Sequence, residues 1–188
     1  MILLRILLLG LFSASLAAEE PWYDAQAPDQ GDWSAKRIET YDEYSTTEKP
    51  LAVIKVDALA IEAQVFPDSR PGALEMGAAW LAGTALPGAS GNTAIAGHRD
   101  SCFRKLEGVS PGARIDLITG QGSQQFEVNE VSIVDALDVS PLDDTDANVL
   151  TLITCYPFYY RGFAPDLYIV RARRIPESTS AELADSAE

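Results

Sequence analysis

Two side chains in this sequence are of kinds that do covalent chemistry, and each closes a β-like run. Cys155 ends Val149-Leu150-Thr151-Leu152-Ile153-Thr154-Cys155, with Pro157 two residues on. The single histidine, His98, ends Gly91-Asn92-Thr93-Ala94-Ile95-Ala96-Gly97-His98. A thiolate attacks carbonyl carbon, and an imidazole can stabilise it and pass a proton to a leaving group. A strand end holds such groups rigidly while leaving them open to solvent, and Pro157 forces the chain out of the ladder. Taken singly, neither residue selects catalysis over structure. Most buried cysteines are inert, and a lone histidine is more often hydrogen-bonded or at the surface. One His and two Cys without clustered spacing do not make a zinc site. No metal or other cofactor is expected.

The elements that must position these residues read as β structure. Leu51–Val56 alternates, with Ala52, Ile54 and Val56 opposite to Val53 and Lys55. Ile61–Phe66 does the same, with Ile61, Ala63 and Val65 on one face. Arg114–Ile118 and Gln125–Val134 flank a Gly120-Gln121-Gly122 turn, and Thr93–Ala96, Val149–Thr154 and Leu167–Ala172 are further apolar runs. Ala73–Leu81 is the clear helical stretch of the first half. Short strands punctuated by Gly and Pro predict an all-β sandwich or closed barrel.

The flanks differ from this domain. Residues 1–18 read as a signal peptide or short membrane anchor: an apolar run with one early base, Arg5, then small residues including Ser15-Leu16-Ala17. The run is short for a span, which needs about 20 residues. Either way the domain is exported, to the periplasm or cell envelope. Residues 19–50 form a polar, acidic linker with a short helix expected near Ser34–Tyr44. Residues 51–175 are the folded domain, and 176–188 a polar tail expected to be disordered. The net charge of -14 follows this division. The linker has nine acids against three bases and the tail four acids against none, whereas the domain carries fifteen acids and ten bases. Such a surface does not suit a polyphosphate, which argues against a nucleic-acid partner.

Taken together, the two strand ends resemble the sortase family. Thr151-Leu152-Ile153-Thr154-Cys155 fits the Thr-Leu-x-Thr-Cys strand end of that family, and Ala96-Gly97-His98-Arg99-Asp100 after Gly91-Asn92 fits its Gly-His segment. Gly83-Thr84-Ala85-Leu86-Pro87-Gly88 extends the resemblance, which runs from about Leu51 to Arg173. Cys155-Tyr156-Pro157-Phe158 and Ala164-Pro165 are most similar to class D sortases and their Gram-negative relatives. The resemblance implies a closed sortase-type β-barrel of about eight strands with one or two short helices. It also implies a cysteine transpeptidase: Cys155 as nucleophile, His98 as acid/base, and a thioester formed on cleaving a Leu-Pro-x-Thr-Gly-like sorting motif. The implied partners are a secreted protein with a C-terminal sorting signal and an amine acceptor, either a cell-wall precursor or a protein. A sortase-like barrel that only binds peptide, and a thiol hydrolase that transfers to water, stand as alternatives.

The sequence departs from the family at two places. The family's oxyanion Arg opens the last strand three residues before a Val, yet counting back from Val170 reaches Leu167. Arg161, in the loop six residues after Cys155, is the favoured replacement, ahead of Arg171 and Arg99. The second departure is Cys102, four residues after His98. It reads as a small buried hydrophobe, a redox partner of Cys155 or half of a disulfide. Thr154 is placed either in the substrate groove or in strand packing, and Asp100 either beside His98 or as a cap for a helix over Cys102–Leu106.

Overall fold

A computed structural model describes residues 23, 30–31, 35–44, 49–68, 72–160 and 162–176. The expected signal, 1–18, and nearly all of the tail lie outside these residues. Helix α1 (Ala35–Tyr44) falls where a short helix was expected in the linker. The domain then runs β1 (Ala52–Val56), β2 (Ile61–Pro67), α2 (Ala73–Met76), β3 (Ala78–Trp80) and β4 (Asn92–Gly97). It continues through β5 (Arg114–Thr119), β6 (Gly122–Asp135), β7 (Val149–Tyr156) and β8 (Asp166–Arg174). These eight strands close a barrel in the order β1-β2-β3-β4-β7-β8-β6-β5. β1 pairs with β5 to complete the ring, and only the β2–β3 and β4–β7 pairs are parallel among the strand pairings.

Alternation decides which side chains fill this barrel. Ala52, Ile54, Val56, Ile61, Ala63 and Val65 enter one buried cluster with Ile95, Leu117, Leu150, Leu152 and Phe103. Each fully buried side chain of Val, Ile, Leu or Phe size contributes about 1.5–3 kcal/mol relative to exposure. The intervening residues leave the other face of the strands, where Val53 and Phe66 are buried as well. Lys55 and Glu62, directly opposed on β1 and β2, form an ion pair at 3.2 Å.

The helix expected over Ala73–Leu81 is only four residues long. Gly77 stops it, because the chain there presses on β2: a Cβ at Gly77 would stand 2.4 Å from the Gln64 carbonyl oxygen. Residues 78–80 then pair with β2 on one side and β4 on the other. Three residues are too few to show a period of two, so this strand has no local signature. Helix α1 packs against α2. Among the described residues no helix is long and apolar enough to cross a membrane.

Candidate active site

The parallel pairing of β4 and β7 brings the two chemical strand ends together. Its register sets Ala94 beside Thr151 and Ala96 beside Ile153. Continued by two residues, it sets Gly97 beside Thr154 and His98 beside Cys155, whose side chains then leave the same face. The Thr154 hydroxyl donates to the Gly97 carbonyl at 2.7 Å, which locks this end of the pair. Thr154 is only 2% exposed, so its hydroxyl serves the joint between strands rather than an open groove. Gly97 has no room for a side chain: a Cβ would stand 2.5 Å from the ring of the fully buried Phe103 and 2.9 Å from the Cys102 sulfur. The His98 carbonyl accepts the N–H groups of Ser101 and Phe103, turning the chain away as soon as the histidine is delivered.

Glu75 of α2 also reaches this point, and the sequence had not singled it out. Its Oε1 lies 3.7 Å from His98 Nε2, and the two side chains are 31% and 36% exposed. The placement follows from β3 and β4, where Ala78 opposes Gly97. The next pair is Gly77 with His98, so α2 ends alongside the histidine. Asp100 is not a helix cap. The following turn is a 3₁₀ segment, Arg104–Gly108, with Phe103 at its N-cap position and no capping side chain.

No disulfide joins Cys102 and Cys155, which removes that reading. The Cys102 Sγ donates instead to the Gly77 carbonyl, 3.2 Å away. Cys102 is partly buried against the barrel core, as expected for a small hydrophobe.

Leu167, where the family pattern puts an arginine, pairs with Cys155 across β7 and β8. Arg171 opposes Thr151, four residues back along the ladder and about 13 Å from the cysteine position. Arg161 lies outside the described residues. Arg99 bonds on either side of it, its Nη2 donating to the carbonyls of Tyr160 and Gly162, each at 2.8 Å. Its Nη1 is buried and finds no hydrogen-bond partner among the described residues. Arg104 stacks over the Tyr159 ring at 5.0 Å, a second tie to the same loop. Below the loop, Tyr156, Phe158 and Tyr168 pack as an aromatic cluster. Burial, the Glu107 charge and Tyr156 together push the Tyr168 phenol above its ordinary range. Among the described residues no group of acids, His and Cys could hold a metal ion.

The family model of the sortase domain matches residues 54–175, about two thirds of the chain and nearly all of the barrel. This chain belongs to the sortase family. Sortase D of Bacillus subtilis (strain 168) is 28% identical over 166 residues, covering 88% of this chain and 82% of that relative. Among solved structures, a Clostridium perfringens Sortase D5 transpeptidase superposes with a TM-score of 0.62 at 25% identity, over 78% of this chain and 92% of that one. Sortase C-1 of Actinomyces oris superposes with a TM-score of 0.63 at 21% identity, over 77% and 84% of the two chains, a likeness of fold. The two sortase D relatives agree with the class D character of the motifs, and the eight-stranded closed barrel is the sortase fold. As a sortase the protein is a cysteine transpeptidase, of a family that acts at the cell envelope.

Proposed function

We propose that this sortase cuts a Leu-Pro-x-Thr-Gly-like sorting motif and joins the new acyl end to an amine, with Cys155 as nucleophile and His98 as its proton partner. The observation that carries this reading is the β4–β7 register, closed by the Thr154–Gly97 bond, which delivers both residues at neighbouring strand ends. In the first half-reaction the Cys155 thiolate bonds to the Thr carbonyl carbon and the Thr–Gly C–N bond breaks. The imidazolium of His98 gives its proton to the departing amine. In the second, the acceptor amine attacks the thioester, the C–S bond breaks, and His98 takes up the amine proton. Arg161 supplies the donor for the oxyanion of both steps. What supports that assignment is the pair of Arg99 bonds to Tyr160 and Gly162, which tie its loop to the residue after His98. The substrate is a secreted protein with a C-terminal sorting signal, and the acceptor a cell-wall precursor or a protein. Residues 1–18 export the domain or anchor it.

Leu167 opposite Cys155 favours a second reading, in which weakened oxyanion support leaves a thiol hydrolase or a peptide-binding barrel. One assay decides among them. The exported domain is incubated with sorting-motif peptides and amine acceptors under reducing conditions, and products are read by mass spectrometry. The expected result is a Cys155 thioester and an amine-joined product, both absent from Cys155→Ala. An adduct resolved only by water selects the hydrolase, and no adduct on any peptide sinks both enzymatic readings. Full turnover by Arg161→Ala would remove Arg161 from the site.

A further inference from the structure

We propose that Glu75 is a positioning residue for His98, holding its ring as the imidazolium partner of the Cys155 thiolate. This rests on the His98–Cys155 partnership proposed above. Glu75 Oε1 stands 3.7 Å from His98 Nε2. A carboxylate at ion-pair distance favours the charged ring over the neutral one. The strand order matters as much as the distance. Glu75 approaches from the β3 side of β4 and Cys155 from the β7 side, so the histidine at the end of β4 lies between them. The negative charge of Glu75 is therefore felt first by the imidazole and only at longer range by the sulfur.

The approach of Glu75 is built into the fold. Helix α2 enters from Gly72 at φ 72° and is cut off at Gly77. Gly77 is held from both sides: the Gln64 carbonyl leaves no space for a Cβ, and its own carbonyl accepts the Cys102 thiol. Cys102 belongs to the turn that His98 opens, since the Phe103 N–H donates to the His98 carbonyl. One short circuit, Gly77 to Cys102 to His98, thus ties the end of α2 to the histidine that Glu75 faces. Among the described residues, the strand register sets Cys155 of β7 beside His98, and Arg99 and Asp100 follow it in its own turn. Arg99 is turned to the Tyr160 and Gly162 carbonyls.

The test needs no knowledge of the natural substrate. The rate of Cys155 alkylation by iodoacetamide at neutral pH reports its thiolate, and peptide mapping separates Cys155 from Cys102. In the folded protein, Glu75→Gln is expected to slow this rate about three-fold, the effect of a partly exposed ion pair. Glu75→Asp, which keeps the charge, should retain most of the wild-type rate. The wild-type rate should fall to that of Glu75→Gln in about 1 M salt, where charges are screened within about 3 Å. His98→Ala should be slower than either. If His98→Ala slows alkylation and Glu75→Gln does not, or if salt leaves their difference unchanged, Glu75 has no such role and the partnership stands. If His98→Ala leaves the rate unchanged, the partnership fails and the role of Glu75 fails with it.

Discussion

The two ends of the β4–β7 pair use a threonine hydroxyl in the same way and reach opposite results. At the entry end the Thr151 hydroxyl donates to Asn92 Oδ1 at 2.7 Å, and Asn92 Nδ2 donates to the carbonyls of Pro141 and Asp143, each at 2.9 Å. Asn92 and Thr151 are both wholly buried. This end is sealed, and it fastens the loop between β6 and β7 to the barrel wall. At the exit end Thr154 donates to a backbone carbonyl, and the next residues on both strands, His98 and Cys155, are partly exposed. A satisfied polar network makes a wall, because each member left alone would be a buried unpaired group. A threonine bonded to a backbone carbonyl joins the two strands without using the side chains that follow it.

Breaking the sealed end should have the largest effect on stability. Asn92→Leu keeps the shape but strands the Thr151 hydroxyl and the Pro141 and Asp143 carbonyls, a loss of about 3 kcal/mol or more. Urea unfolding measures it, and a loss below 1 kcal/mol would show that the loop is fastened otherwise. Thr154→Val at the exit end should behave in the reverse sense. It removes one hydrogen bond, costing about 1 kcal/mol. It also frees the His98 strand end to shift against Cys155, so turnover should fall about ten-fold, in keeping with the sensitivity of rate to misplacement. Equal loss of stability in the two variants would erase the distinction between the ends.

The smallest effect is one of pH. Tyr168 opposes Thr154 on β8, and its phenol is held above the ordinary range chiefly by burial, then by the Glu107 charge and Tyr156. The unfolded chain therefore releases this proton first as pH rises past about 10. Stability is unaffected below that point and declines from it up to the folded value. Melting temperatures at mildly and strongly alkaline pH should thus fall further for the wild type than for Tyr168→Phe. An equal fall in both would show that Tyr168 titrates without linkage to folding.

Much of the barrel was legible because its strands alternate or are continuously apolar over five or more residues, as Ile61–Pro67 and Val149–Tyr156 do. β3 was hidden inside an apparent helix because Ala78–Trp80 is strand only by virtue of its neighbours. Asn92 could be noted as part of a motif, but its bonds reach 49 and 51 residues along the chain, beyond any local pattern. Glu75 carried no signal of its own. An acid in a short helix is ordinary, and only the pairing of β3 with β4 turns it toward His98.

What the sequence by itself determined was the set of strand ends and the residue types on them. A β-branched run stopped by Pro157 delivers a thiol, and a run stopped at Gly97 delivers the imidazole, because strand propensity and chain breakers act locally. The tertiary structure decided which ends meet, that Leu167 rather than an arginine faces Cys155, that Cys102 spends its thiol on Gly77, and that a carboxylate stands beside His98. Those outcomes depend on register between strands far apart in the chain. Register is set by the closure of the whole barrel and by the packing of its core, not by any stretch of residues read alone.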